Sequence, residues 1–221
     1  RLVLALSLLV PVVFLVVAAA TTSARPILIV LAASTQDLVT ADERRQSLLC
    51  IAIAGAGLIG AFLGAELVQR HFAASRRLVL AGYRASELIV GRLFVLAVIV
   101  VATGAYTWAL LAVGAAPRFR SGVWVGLMLG TLVYAAWGTL IGTIFRRELE
   151  SIFAILILVN IDAGWLQNPL YYATAESRWL IEALPAHTPV QIALLSEFTG
   201  EPTGDLVVQS LGYSAVLLTA A

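Results

Sequence analysis

Asp162 is an ionisable residue inside a predicted membrane-spanning segment, in the run LVNIDAGWLQNP, and Asn160 lies two positions before it. A carboxylate in a membrane is costly, so such residues commonly belong to substrate paths, proton relays or gates. Asp162 lies near the outer end of its segment, however, where water can reach it. The sequence therefore leaves two roles open for Asp162 and Asn160, a substrate-path or gating role and a structural hydrogen bond.

The second polar candidate is the run LPAHTPVQIALLSEF, in which Pro185 and His187 precede a predicted helix start. Thr188, Pro189 and Gln191 match an N-cap, a first-turn proline and a capping-box partner. The run predicts a break between two short helices of about 11 residues, or about 16 Å each, which can enter a membrane and return but not cross it. A lone histidine is a weak sign of metal binding or acid–base catalysis, so a hydrogen-bonding role is favoured for His187. The predicted substrate-path or gating group is Asp162, Asn160, Pro185 and His187.

The residue types exclude several kinds of site. All fourteen basic residues are arginine, whereas a P-loop requires the lysine of GxxxxGK(S/T) to reach the nucleotide phosphates. The chain has no CxxC, no GxSxG and no paired histidines, and its single cysteine, Cys50, excludes an internal disulfide. The formal net charge of +1 argues against a nucleic-acid partner. We therefore expect no catalytic or metal-ligating residues and no cofactor bound by this chain.

The elements that hold these residues are predicted to be membrane helices. Of the residues, 61% are hydrophobic and 12% are charged, against about 45–50% and about 25% in soluble domains. A spanning helix needs about 20 mostly apolar residues. Six segments approach this length and predict an all-α integral membrane protein with a six-helix bundle: 2–20, 47–68, 88–113, 123–145, 151–166 and 206–221.

Two features of the apolar pattern allow other interpretations. The first segment, at about 19 residues, exceeds the roughly 7–15 residues of a signal-peptide core, so a membrane helix is favoured over a signal peptide.

The chain is expected to be a fragment of one transmembrane domain, truncated at both ends. Residues 26–34 are apolar but too few to cross as a helix, so they are expected at the membrane interface or on the outer ends of the helices.

Arginine placement predicts the orientation, because cytoplasmic loops carry an excess of basic residues near the ends of membrane helices. With the N-terminus inside, the inner side holds eight of the fourteen arginines, concentrated in two short loops. Four of the five tryptophans fall at the opposite face, as in an interfacial aromatic belt. The sequence therefore predicts a multi-pass protein of the plasma membrane with a cytoplasmic N-terminus.

Small residues recur every four positions in the second and fourth segments, which lets helix backbones approach closely. The positions are Ala52, Ala56, Gly60 and Gly64 in the second segment, and Gly126, Gly130, Gly138 and Gly142 in the fourth. Tyr134 interrupts the second series. Packing within the bundle is the favoured interpretation, and an interface with another subunit is the alternative.

The inner loop after the second segment is rich in arginine and contains a helix-like run at residues 75–81. Ser75 can cap this run, and Gly82 suits a left-handed closing position. The predicted two-turn helix places apolar side chains beside guanidinium groups, which suits docking of a soluble partner; a solvated basic loop that attracts anionic lipid is the alternative. The docking residues would be Ser75, Arg76, Arg77, Leu78, Val79, Leu80, Gly82 and Arg84.

With these residues located, the chain resembles the membrane permease of ABC-2 type transporters over nearly its whole length. The resemblance rests on GAELVQRHFAASRRLVLAGYRASELIVGRL after the second segment, WGTLIGTIFRRELES closing the fourth, QNPL after the fifth and LPAHTPVQIALL before the sixth. It implies that residues 75–81 are a cytoplasmic coupling helix that docks on a separate nucleotide-binding ATPase, which would hold ATP and Mg²⁺. It also implies outer re-entrant helices within residues 174–198, a second permease copy, and export of a drug, peptide, lipid or glycan.

Two other classes of function are left open. An intramembrane enzyme would use Asp162 and His187 and would be active without a partner. A membrane scaffold or sensor would neither transport a substrate nor stimulate a partner's ATPase. A P-loop encoded in the adjacent reading frame would favour the transporter over both.

Overall fold

The chain folds into a helical bundle with a small β-ribbon. The computed structural model describes residues 2–36, 38–114, 121–145 and 147–221, with the backbone alone described at 2–8, 10, 71–77, 79, 85 and 114. In chain order the elements are α1 (Leu2–Thr21), β1 (Pro26–Ile29), β2 (Val39–Asp42), α2 (Glu43–Leu80), α3 (Ala85–Gly114), α4 (Ser121–Ile144), α5 (Glu148–Ile161), a π-helical turn (Asp162–Leu166), α6 (Pro169–Thr174), α7 (Arg178–Glu182), α8 (His187–Phe198) and α9 (Gly204–Ala220).

Among the described residues, four helices are long and apolar enough to cross a membrane. They are Glu43–Arg70 within α2, Ser86–Val113 within α3, Ser121–Ile144 and Glu148–Leu166. α1 contributes a shorter apolar stretch, Pro11–Thr21, and α9 is 17 residues long. The candidate spans of α2 and α4 are mostly buried, whereas those of α3 and α5 expose most of their apolar surface. The chain is therefore an α-helical protein with the helices of a membrane-embedded protein.

The ribbon of β1 and β2 is antiparallel and leads directly into α2, with Ile29 opposite Val39. These two side chains face the core and are almost fully buried. The side chains of Arg25 and Glu43 form an ion pair where the ribbon ends. Residues 26–34 are expected from sequence only as an interfacial segment. The first four of them form a strand because their pairing partner lies at 39–42, a contact that the local apolar pattern does not encode.

α2 and α4 form the central pair of the bundle and pack through their small residues. At four positions a Cβ added to glycine would come within 3.0 Å or less of the facing backbone. The facing residues are Gly60 with Thr131, Gly64 with Ala135, Gly138 with Ala61 and Gly142 with Ala65. Gly126 instead approaches Pro189 and Ala193 of α8, and Gly130 lies between Ile53 of α2 and Pro189. Ala52 and Ala56 are buried in α2. All eight small residues thus serve contacts within one chain, and a subunit interface would have to use others.

α2 runs without interruption for 38 residues, about 57 Å, from Glu43 to Leu80. The prediction of a separate two-turn helix that starts at Ser75 is therefore wrong, because the backbone at 75 continues the helix instead of capping it. The predicted closing position is confirmed: Gly82 has φ +97°, and the N–H of Tyr83 donates to the carbonyl of Leu78 at 3.1 Å. Ser can cap a helix or lie inside one, and local sequence does not distinguish the two.

The segment between α5 and α9 also differs in detail from the two helices of about 11 residues that the sequence predicts. α7 has only five residues, and α8 has twelve. α8 begins at His187 with Ala186 as its N-cap, so the predicted cap at Thr188 is wrong. The Thr188 hydroxyl instead accepts a hydrogen bond from Ser210 Oγ of α9 at 2.7 Å. The Thr188 hydroxyl oxygen, which a capping box would use, is therefore engaged in a tertiary contact with α9.

Candidate functional site

The last turn of α5 widens into a π-helical turn that begins at Asp162. Such turns insert one extra residue into a helix and are frequent at functional sites. The helix then stops at Gln167, and Asn168 restarts it by accepting a hydrogen bond from the N–H of Leu170 at 3.1 Å, with Pro169 in the first turn. The sequence QNPL therefore places the amide of Gln167 beside the carboxylate of Asp162.

Three donors surround the Asp162 carboxylate, whose residue is 1% exposed. The Tyr134 hydroxyl of α4 donates to Oδ2 at 2.7 Å, and the backbone N–H of Ala186 donates to the same oxygen at 2.8 Å. Gln167 Nε2 donates to Oδ1 at 3.0 Å. Burying a carboxylate is tolerated only when its oxygens are hydrogen-bonded. The carboxylate thus joins α4, the end of α5 and the turn before α8 in one polar contact.

Among the described residues, Gln167 is the side chain that connects His187 to this carboxylate. Its Nδ1 lies 3.3 Å from Gln167 Oε1, and because an amide oxygen can only accept, the Nδ1–H tautomer makes this hydrogen bond. Gln167 Nε2 also donates to the carbonyl of Ile181 at 3.1 Å. Burial lowers the pKa of His187, although the charge of Glu182 opposes this effect. This chain of contacts holds the imidazole beside the amide. It does not bring His187 and Asp162 into direct contact.

The predicted gating residues therefore separate into two groups. Asp162, His187 and Pro185 are buried together, and Pro185 immediately precedes the Ala186 N–H that binds Asp162. Asn160 is exposed, and its side chain donates to the carbonyl of Leu156 at 2.8 Å. It faces away from the network, because two residues along a helix turn a side chain by about 200°.

Tyr134 and Gln167 are the members of this network that sequence reasoning missed. Tyr134 is fully buried, and its signal was present, since it is the one large residue within the series of small residues on α4. Gln167 stands within the QNPL motif but carries no charge that would mark it. Both become identifiable only when α4 and the π-helical turn are placed together.

An aromatic and charged rim covers the network on one side. The Tyr172 hydroxyl donates to Glu182 Oε1 at 2.6 Å, and its ring lies 6.3 Å from the His187 ring. The Arg178 guanidinium lies 5.3 Å from the Tyr172 ring centroid, a cation–π distance. Burial and the carboxylate of Glu182 raise the pKa of Tyr172 to about 12. The phenol therefore stays protonated and continues to donate at physiological pH.

A second set of polar contacts ties the β-ribbon to the far end of α8. Arg45 pairs with the buried Glu197 at 2.6 Å. Glu201, in the turn after α8, accepts hydrogen bonds from Ser34 Oγ at 3.2 Å and Thr35 Oγ1 at 2.8 Å. The hydrogen bond from Thr35 is the main reason that the pKa of Glu201 is lowered. The far end of α8 is thus tied to the first turn of α2 through Glu197, and the turn after α8 is tied to the β1–β2 loop through Glu201.

At the opposite end, α2 carries the predicted docking residues. Leu78 and Leu80 are exposed, at 38% and 80%, and Arg84 is exposed beyond Gly82. The side chains of Ser75, Arg76, Arg77 and Val79 lie outside the described residues. Gln69 Nε2 donates to the Phe145 carbonyl at 2.9 Å and to Ser151 Oγ at 2.7 Å. These bonds place the α4–α5 turn at the same end as the exposed tip of α2.

No protein-family model matches the chain, and a search of the curated proteins finds no match. The resemblance to ABC-2 permeases thus rests on the motifs quoted above. In the part of the chain that the structure describes, no group of three or more His, Cys, Asp or Glu side chains could hold a metal ion. The arrangement at Asp162 is a buried hydrogen-bonded joint between helices.

Proposed function

We propose that this chain is the membrane permease half of an ABC-2 type transporter, driven by ATP hydrolysis on a separate nucleotide-binding subunit. In this proposal α1 and α9 supply the first and sixth crossings beside the four apolar helices of α2 to α5. The protein is multi-pass in the plasma membrane with a cytoplasmic N-terminus, and it pairs with a second permease copy. ATP and Mg²⁺ bind the partner, and export is the expected direction. The cargo is a drug, peptide, lipid or glycan.

The shape of α2 carries this proposal. Its candidate span ends at Arg70, yet the helix continues for ten residues to Leu80, about 15 Å beyond the span. The hydrocarbon core of a bilayer is only about 30 Å thick, so the tip extends outside it. A continuous helix transmits a displacement at Leu78 and Leu80 directly to the glycine contacts with α4. This is a suitable route for a soluble motor to move a membrane helix.

The Asp162 network supports the gating part of the proposal. It lies toward the end of the bundle opposite the tip of α2, and it connects α4 with α5 and with the turn before α8. A transport cycle requires a joint whose contacts differ between two states. In this proposal α6 to α8 are the re-entrant elements, and the hydrogen bonds of Tyr134 and Ala186 to Asp162 hold the closed state.

The hydrogen bonds to the Asp162 carboxylate favour this proposal over an intramembrane enzyme. A general acid or base needs an oxygen within reach of a substrate, whereas both Asp162 oxygens accept hydrogen bonds from within the chain. His187 is linked to Asp162 only through Gln167. A scaffold or sensor remains as the other class of function, and the experiment below distinguishes it.

The test is co-purification of this chain with the product of the adjacent gene, followed by an ATPase assay. Arg76→Glu and Leu78→Asp at the tip of α2 are expected to reduce complex formation or uncouple ATPase activity. Leu149→Asp is the matched control, because Leu149 is 70% exposed and lies on the first turn of α5 at the same end.

Three outcomes would contradict the proposal. An intact, coupled complex in both α2 variants would refute docking by this helix. An equal loss in Leu149→Asp would show that any new charge at this end disrupts the complex. A chain that neither transports nor changes the partner's ATPase activity would indicate a scaffold or sensor.

A further inference from the structure

A groove of about 440 Å³ lies between α1, α2 and α3, at the end of the bundle near the β-ribbon. Its walls are apolar except for Arg44, on the first turn of α2. Val12, Leu15 and Ala19 of α1 form one side, and Leu110 of α3 forms another. This volume, here called the Arg44 groove, belongs to none of the polar contacts described above.

The length of the groove matches one leaflet of a bilayer. Its α1 wall runs from Val12 to Ala20, nine residues that extend about 12 Å along the helix. Half of a hydrocarbon core of about 30 Å is about 15 Å. Arg44 lies at the outer end of the wall, with Leu48 one helical turn deeper. The groove therefore presents a charge at one end and an apolar channel of leaflet depth behind it.

Among the described residues, Arg44 has no ion-pair partner, unlike its two charged neighbours Glu43 and Arg45. Glu43 pairs with Arg25, and Arg45 pairs with Glu197. Among the residues that the structure describes, no hydrogen bond or ion pair involves the Arg44 guanidinium. The Arg44 guanidinium is therefore available to bind an anion that enters the groove from outside the protein.

We propose that the Arg44 groove binds an anionic lipid of the surrounding bilayer, with one acyl chain along α1 and the phosphate at Arg44. A guanidinium can bind two phosphate oxygens through parallel N–H donors, and the apolar walls suit a hydrocarbon chain. A zwitterionic lipid can fill the channel, but its choline group adds a like charge near Arg44. The site therefore selects lipids by headgroup charge. This inference is independent of the proposed transport function, because binding is measured on the chain alone.

Native mass spectrometry of the detergent-purified chain tests the proposal. The sample contains equal amounts of phosphatidylglycerol and phosphatidylcholine with identical acyl chains. The unaltered protein should retain phosphatidylglycerol preferentially. Arg44→Gln should lower that preference about tenfold, equivalent to about 1.4 kcal/mol. Ala19→Phe, which fills the channel and keeps Arg44, should reduce retention of both lipids. Arg147→Gln, at an 84% exposed arginine side chain at the other end of the bundle, should change neither.

The alternatives give different results. An unchanged preference in Arg44→Gln, or an equal decrease in Arg147→Gln, would refute headgroup binding at Arg44. Full lipid retention in Ala19→Phe would show surface attraction without a seated chain and would also refute the site. A second copy of the protein in the groove would appear as a dimer that Ala19→Phe weakens while lipid retention stays constant, and this too would overturn the proposal.

Discussion

Replacing Tyr134 by Phe tests whether the Asp162 network holds the bundle together. The change removes one hydroxyl, which donates to Asp162 Oδ2 at 2.7 Å, and it leaves the fully buried ring in place. Packing is therefore almost unaltered, and the hydrogen bond is the quantity measured. The carboxylate keeps two of its three donors, Ala186 and Gln167. It therefore loses one hydrogen bond, and each of its oxygens still accepts another.

The expected loss in the free energy of unfolding is about 1–1.7 kcal/mol. A net hydrogen bond contributes about 0.5–1.5 kcal/mol, and one to a charged group about 1.5–3. Polar pairs in membrane proteins average only about 0.6 kcal/mol, with a maximum of about 1.7, because the unfolded chain in a membrane also finds partners. The complete burial of both groups places Tyr134 toward the upper part of that membrane range.

Equilibrium unfolding in mixed micelles measures this difference, with Tyr171→Phe as the control. Tyr171 is 39% exposed, and no hydrogen bond from its hydroxyl is present among the described residues. A double-mutant cycle with Asp162→Ala, which removes both acceptor oxygens, should give a coupling energy of at least about 0.5 kcal/mol. The reasoning is refuted if the free energy of unfolding of Tyr134→Phe lies within about 0.3 kcal/mol of that of the control. It is also refuted if the effects of the two changes in the cycle are additive, because the Tyr134–Asp162 hydrogen bond would then not stabilise the bundle.

Two further perturbations follow from the structure. Gly138→Ala should destabilise the chain by about 1–3 kcal/mol, because the added Cβ would overlap the Ala61 backbone. Gly212→Ala is the control and should be tolerated, since the space around Gly212 is open. Equal unfolding midpoints for the two variants would refute the close contact at Gly138. Burial lowers the pKa of folded His187 below its ordinary value of 6.5, so the unfolded state binds the proton more readily and stability should fall as pH drops below about 6.5. His187→Gln, which can still donate to Gln167, should lack this slope in pH-dependent unfolding, and an unchanged slope would exclude His187 as its source.

Composition and periodicity determined the broad architecture before any contact was known. An apolar fraction of 61% leaves too few polar residues to cover a soluble surface, so apolar helices follow from it. The four-residue spacing from Ala52 to Gly64 and from Gly126 to Gly142 lines up small side chains on one helix face, since i and i+4 lie above each other. The helix end at Gly82 was also predictable, because a left-handed residue there requires glycine.

Tertiary structure alone decided where the polar residues act. Asp162 was visible in the sequence as a costly charge, but its partners come from Tyr134 on α4, Gln167 and the backbone of Ala186, between 5 and 28 residues away. A hydrogen bond depends on distance in space, and no local pattern encodes it. Local sequence was likewise insufficient for Ser75 and Thr188: each can cap a helix, yet the backbone of each lies inside one. The sequence by itself therefore determined what the helices are made of, and the fold determined which polar groups meet between them.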